Sequence, residues 1–187
     1  MRFAYKIKIV GRENIPLDRG IILASNHRSN ADPVFIGIGC KRTVRFMAKE
    51  ELFKNKFFSY LITHLGAFPV KRGVDSGSAI NYAEKIVSDG GVLGIFPEGT
   101  RHKDGVLGRA KSGTIVIAKQ TGGDIVPVSI DYQDKFIWRR KIVVTYGKPI
   151  QNSDFHLDTN SKESLKSASK LIMSRIAENL TPIKPSI

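Results

Sequence analysis

The chain is predicted to fold as an α/β protein, with a central mixed β-sheet flanked by helices on both faces, in a single domain spanning residues 1–187. Three observations carry that expectation. Strand-like and helical segments alternate along the whole chain, the pattern that lays helices against the faces of one sheet. A length of 187 residues fits one domain, and the 41% that are hydrophobic recur in periodic segments rather than in one block. Seventeen glycines and eight prolines punctuate those segments without making the chain low in complexity.

Taken in order, residues 3–10 (FAYKIKIV) alternate apolar and basic side chains, which marks a half-exposed strand. Residues 20–25 (GIILAS) are a short apolar run behind Pro16 and Gly20, a buried strand. Asp32-Pro33 then reads as a helix start. Asp is a favoured N-cap, Pro suits the first helical position, and Val34, Phe35 and Ile38 follow at helical spacing. Residues 43–48 suggest a strand, 50–65 a short helical stretch rich in Phe and Leu, and 67–71 an extended run leading to Arg72-Gly73. From Ser76 to Ser88, the residues Ala79, Ile80, Ala83, Ile86 and Val87 share one helix face, closed by Gly90-Gly91.

Residues 91–96 are strand-like, 112–121 form a helix ending at Gly122-Gly123, and 125–131 and 141–147 are strands. The last helix is expected over 161–180, with Asn160 and Glu163 as a capping box and a stripe of Leu165, Ala168, Ile172, Ile176 and Leu180. These patterns leave the strand order open.

Thirty Lys plus Arg against seventeen Asp plus Glu give a formal charge of +13. Such a field favours polyanions: nucleic acid, an anionic membrane surface, or phosphorylated small molecules. A surface that is merely basic and soluble accounts for the same composition. The cations are scattered and carry no RRM, zinc-finger or helix-turn-helix signature, so nucleic acid is not the expected partner, and a basic nucleic-acid module is kept as the non-enzyme alternative. Cys40, the single cysteine, excludes an intrachain disulfide and fits a reducing compartment. It follows an apolar run with no activating pattern and is expected as a small core residue. His27, His64, His102 and His156 lie in unrelated segments without HExxH or paired-Cys spacing, so no metal is expected. No segment approaches the ~18 uninterrupted apolar residues of a transmembrane helix, and the start (MRFAYKIKIVGRENIP) has neither an h-region nor a cleavage site.

Three segments carry chemistry. Ser25-Asn26-His27-Arg28-Ser29-Asn30-Ala31-Asp32-Pro33 falls between a buried strand and a helix start, where α/β proteins tend to place ligands. A loop that folds back would let the Asp32 carboxylate meet the His27 imidazole, fix its tautomer and leave the other nitrogen as a base. From the pair alone, a helix-capping Asp32 and a satisfied loop histidine explain the residues more simply. Phe96-Pro97-Glu98-Gly99-Thr100-Arg101 also follows a buried strand. Its glycine turn exposes backbone N–H groups, and Arg101 offers a planar fork for a phosphate, although an ordinary polar turn fits equally well. Phe68-Pro69-Val70-Lys71-Arg72-Gly73 ends in cations, and Lys49 adds another at a strand end. If Lys49, Lys71-Arg72 and Arg101 converge on one sheet edge, they make a shared anion site.

In combination, NHRSNADP, FPVKRG, FPEGTR and IVPVSI, in that order, resemble the four motif blocks of the 1-acylglycerol-3-phosphate acyltransferase family, over about residues 11–149. The resemblance implies a glycerolipid acyltransferase-like fold and an enzyme of phospholipid biosynthesis. It would transfer a fatty acyl group from acyl-carrier protein or coenzyme A to the free hydroxyl of 1-acyl-sn-glycerol 3-phosphate, giving phosphatidic acid, without a cofactor. Another lysophospholipid or glycerol phosphate is the alternative acceptor.

The same resemblance implies that His27 is the general base and Asp32 its orienting partner. Lys49, Arg72, Glu98, Gly99 and Arg101 would form the phosphate site, and Pro127 would pack near the donor. Ser25 and Ser29 match no nucleophile elbow, so direct transfer is expected rather than a serine hydrolase's acyl-enzyme. Many members carry an extra apolar N-terminal segment, whereas this chain begins almost at its first strand. With no segment long enough to span a bilayer, the expectation is a cytoplasmic protein attached peripherally to the inner face of the cell membrane, meeting an anionic surface from the side. Residues 51–68, where Leu52, Phe53, Phe57, Phe58, Tyr60, Leu61, Leu65 and Phe68 interleave with Lys54 and Lys56, read either as a core helix or as an interfacial one.

Overall fold

The computed structural model describes residues 5–70, 76–133, 140–155 and 161–180. Its organising strand is β2 (Ile21–Ser25), in which every residue is buried. Because strand side chains alternate, Ile22 and Ala24 enter one hydrophobic core while Ile21 and Leu23 enter the other. A strand buried on both faces needs neighbours on both edges and layers above and below, which is why its sequence is an unbroken apolar run.

The sheet has seven strands in the order β1 (Tyr5–Val10), β7 (Arg140–Tyr146), β6 (Asp124–Tyr132), β2, β5 (Val92–Ile95), β3 (Val44–Lys49), β4 (Ala67–Val70). β6, β2, β5, β3 and β4 run parallel, with Ala24 paired to both Ile95 and Pro127, and Lys49 paired to Val70. β7 is antiparallel to β6 and parallel to β1, so the sheet is mixed, as expected. The carboxyl ends of five strands therefore lie along one edge.

α1 (Asp32–Gly39) covers one face through Phe35 and Ile36, against Leu23, Val126, Val128 and Val144. α3 (Ser76–Ser88), α4 (Gly113–Thr121) and α5 (Lys162–Ala177) cover the other through Ala83, Val87, Ile115, Ala118, Ile172 and Ile176. Each fully buried Ile or Leu contributes about 1.5–3 kcal/mol, so these two layers hold the sheet's edge geometry.

Several boundaries differ from the sequence expectation. Residues 50–65 divide into a 3-10 turn, Glu50–Phe53, and α2 (Lys56–His64). α5 is capped by Ser161, whose hydroxyl accepts the Ser164 N–H at 3.1 Å, and it ends at Ala177. A serine one position later can reach the third helical N–H, so the expected box is shifted, and Asn160 lies outside the described residues. Asp32 does not cap α1 either. Ala31 occupies the cap without a side-chain bond, and the Asp32 carboxylate turns back into the preceding loop. Cys40 is half-buried beside the second core, and burial pushes its thiol up, the wrong direction for a nucleophile. Among the described residues, no helix is long and apolar enough to cross a membrane.

Tyr146, buried at the centre of the second core, donates to the Ile36 carbonyl at 2.6 Å. Burial pushes its phenol well above the ordinary value, and burial beside Asp32 does the same to Tyr132. An unfolded chain would release these protons near pH ~10 while the folded chain keeps them, so stability is lost as pH rises beyond that point. Melting temperature is expected to fall steadily above about pH 10, with a shallower fall in Tyr146→Phe; equal slopes in scanning fluorimetry would contradict it.

Candidate active site

The site begins where β2 stops. Asn26, almost fully buried, donates from Nδ2 to the Ile130 carbonyl at 3.0 Å and accepts the Ile130 N–H on Oδ1 at 2.8 Å. That amide extends the β2–β6 ladder by one side-chain rung and sets the direction in which the next residue leaves the sheet. The next residue is His27, whose side chain is 18% exposed. Its ring stacks on Phe96 at the end of β5, with centroids 3.9 Å apart and planes 14° from parallel, and Phe96 in turn stacks on Phe46 of β3.

The loop folds back as the sequence reading required. His27 Nδ1 donates to Asp32 Oδ2 at 2.8 Å, and the same oxygen accepts the backbone N–H groups of Arg28 at 2.6 Å and Ser29 at 2.8 Å. The other oxygen, Oδ1, accepts the Tyr132 hydroxyl from the end of β6. Asp32 is fully buried, and burying a charge is costly unless it is hydrogen-bonded. Four donors meet that need. The arrangement fixes the imidazole tautomer with hydrogen on Nδ1, and Nε2 makes no hydrogen bond to a described residue.

Glu98, 3% exposed, sits beside this pair. One oxygen accepts the His27 N–H at 2.9 Å; the other accepts the Gly108 N–H at 2.7 Å and lies 3.4 Å from His102 Nε2. His102 also donates its backbone N–H to the His27 carbonyl at 2.8 Å. The carboxylate therefore ties the FPEGTR turn to the His27 loop and does not point out as a free anion. Gly99 closes the turn at φ 69, where a side chain would be strained, and donates to the Phe96 carbonyl at 2.9 Å. Arg101 is exposed and donates to Asn30 Oδ1 at 2.7 Å, a second tie between the two loops. Residues 100–104 line an open hollow of about 440 Å³.

The parallel strand order puts the end of β3 next to β5, with β4 beyond it, on this same edge, so the backbone of Lys49 is brought alongside. Lys71, Arg72 and Gly73 lie outside the described residues. Pro127 is buried within β6, where its ring fills the space that Gly147 leaves open. Ser25 is buried with its hydroxyl on the Asn26 carbonyl, and the Ser29 hydroxyl accepts from the Ala31 N–H. Neither serine is placed as a nucleophile beside a base. No group of three His, Cys, Asp or Glu able to hold a metal occurs among the described residues.

Five participants escaped the sequence reading. Tyr132 and Asn26 join elements about a hundred positions apart. His102 stood next to a motif but was counted only as a possible metal ligand. Lys111 reaches over Gly99, where a β-carbon would come within 2.9 Å of its ammonium, so it adds a cation at the turn. Phe96 lay inside a motif, yet its stacking role required knowing that β5 neighbours β2.

The acyltransferase family model matches residues 6–131. The chain is 33% identical over 179 residues to the 1-acyl-sn-glycerol-3-phosphate acyltransferase of Bacillus subtilis, covering 92% of this chain and 87% of that one. It is 36% identical over 143 residues to the enzyme of that name from Streptococcus pneumoniae, covering 73% of this chain and 52% of the relative. The crystal structure of the 1-acyl-sn-glycerophosphate (LPA) acyltransferase PlsC from Thermotoga maritima superposes with a TM-score of 0.71 at 28% identity, over 94% of this chain and 73% of that one. With its motif blocks, its sheet and its long-range sequence identity all in agreement, this chain belongs to the acyltransferase family, in the group of 1-acyl-sn-glycerol-3-phosphate acyltransferases.

Proposed function

We propose that the protein transfers a fatty acyl group from an acyl thioester to the free hydroxyl of 1-acyl-sn-glycerol 3-phosphate, giving phosphatidic acid and a free thiol. The observation that carries this reading is the His27–Asp32 hydrogen bond at 2.8 Å, which leaves Nε2, beside the FPEGTR turn, without a hydrogen bond to any described residue. His27 Nε2 takes the proton as the hydroxyl oxygen attacks the thioester carbonyl. The C–O bond forms, the C–S bond breaks, and the same imidazole returns the proton to the departing thiolate. Asp32 holds the ring and stabilises the imidazolium. Neither acyl-carrier protein nor coenzyme A is a resident cofactor; each would be a co-substrate.

Arg101, with Arg72 and Lys49, is assigned to the acceptor phosphate, and Glu98 and Gly99 shape the turn that presents Arg101. A charge-assisted hydrogen bond to phosphate contributes about 1.5–3 kcal/mol, so Arg101→Ala is expected to raise KM for the phosphorylated acceptor roughly ten- to hundredfold. Steady-state kinetics with each substrate varied in turn check this. A rise confined to the acyl donor would refute the phosphate assignment. For reaching its lipid, the protein is proposed to meet the inner face of the membrane peripherally. The exposed Leu52, Tyr60 and Leu65, set among Lys54 and Lys56, are residue types that suit an anionic interface.

A further inference from the structure

The Asp32 carboxylate is held from two directions. On Oδ2, the donors are His27 Nδ1 and the N–H groups of Arg28 and Ser29, all from the loop that carries the imidazole. They fix the carboxylate against that loop and leave it free to rock about Oδ2. On Oδ1, the donor is the Tyr132 hydroxyl, from the last residue of β6. Among the described residues, it is the carboxylate's one partner from outside the loop. Tyr132 is itself well seated. Its backbone pairs with Ile142 of β7, its ring meets Phe35 edge-on with centroids 6.3 Å apart, and the Arg28 guanidinium lies over its face at 5.0 Å. The Ser29 side chain also bonds to the phenol oxygen. That oxygen's one hydrogen is committed to Asp32, so here it accepts, and hydrogen bonds run in series from Ser29 through Tyr132 to Asp32.

Packing alone does not call for this hydroxyl, because a phenylalanine would fill the same space against Phe35 and under Arg28. What the hydroxyl adds is a tie between the carboxylate and the sheet. β6 and β5 both flank β2, so a tie to the end of β6 refers the imidazole to the same sheet edge from which the FPEGTR turn leaves. We propose that Tyr132 is a positioning residue for acyl transfer, its hydroxyl anchoring Asp32 Oδ1 to the end of β6 so that His27 Nε2 is held at a fixed place beside the FPEGTR turn. The proposal rests on the acyl-transfer reading above. Burial, and then the neighbouring Asp32 charge, push the phenol well above its ordinary value, so it remains a donor wherever an imidazole can serve as a base. Tyr132 acts through Asp32 and touches no reacting atom.

Tyr132→Phe deletes the hydroxyl and keeps the ring. Palmitoyl-coenzyme A and palmitoyl-loaded acyl carrier protein serve as donors to 1-oleoyl-sn-glycerol 3-phosphate, with circular dichroism to verify folding. A misplacement of about 1 Å costs about 10²-fold, and a carboxylate still held on Oδ2 moves the ring less, so kcat should fall about tenfold. Both KM values should stay within about twofold, because no binding group is touched. In an Asp32→Asn background, the same deletion should cost less than about twofold, since a residue that acts through Asp32 has nothing left to position. A full loss in both backgrounds overturns the proposal, as does wild-type kcat in folded Tyr132→Phe or a change confined to KM. Placing 4-aminophenylalanine at position 132 restores a donor of similar reach and should recover most of kcat. A folded protein with that residue and no recovery overturns the proposal, whether or not Tyr132→Phe folds. Nuclear magnetic resonance of isotope-labelled histidine reads the His27 ring nitrogens without substrate, assigned by their loss in His27→Ala. Their shifts should move in Tyr132→Phe, and unmoved shifts count against the anchor. A wild type that transfers no acyl group would sink the acyl-transfer reading, while the ring shifts would still show whether Tyr132 positions His27.

Discussion

Replacing His27 by alanine is expected to lower kcat by about 10²–10⁴, the range that general-base catalysis supplies. The ring is only partly exposed and stacks on Phe96, so its loss removes a contact at the rim of the second core and not from its centre. The backbone N–H and carbonyl of residue 27, which hold Glu98 and His102, survive the substitution. The variant should therefore fold, and its KM for the acceptor should change little, because Arg101 and its neighbours are untouched. Single-turnover assays with a folded, monodisperse variant give the check. Activity within about tenfold of the wild type would remove the imidazole from the mechanism.

Asp32→Asn is expected to lower kcat by a similar factor for a different reason. The amide keeps the volume and can still accept hydrogen bonds on one oxygen. It no longer provides the charge that fixes hydrogen on His27 Nδ1 and stabilises the imidazolium, a substitution that costs roughly 10⁴ in the Ser-His-Asp template. Asp32→Ala is different again. It strands the N–H groups of Arg28 and Ser29 around an empty buried position, and each unpaired donor costs about 1–3 kcal/mol. Asparagine should spare the melting temperature and lose kcat, whereas alanine should lose both. Equal melting losses with equal residual rates would mean that Asp32 is purely structural.

The paired histidine and aspartate were legible in the sequence because they lie five positions apart in one loop, and a loop that short leaves few ways to fold. The alternative reading, Asp32 as a helix cap, fails because its carboxylate finds three donors behind it and a fourth in Tyr132. That fourth donor lies a hundred residues away and left no signature in local spacing. The same holds for the Asn26–Ile130 rung and for the Phe96 platform. The capping serine of α5 was missed by one position because serine and asparagine are near-equal caps, and only backbone direction separates them.

By itself, the sequence determined the alternation of strands and helices, the apolar run that had to become a doubly buried strand, and the chemical identity of the His-Asp and FPEGTR segments. All of these are properties of neighbouring residues. Tertiary structure alone decided that β2 lies between β5 and β6, that five strands end on one edge, and that Glu98 turns inward while Arg101 stays outward. Strand order and register arise from hydrogen-bond pairing and packing between segments far apart in the chain. A period-two or period-3.6 pattern reports which side of an element is buried, but not which partner buries it.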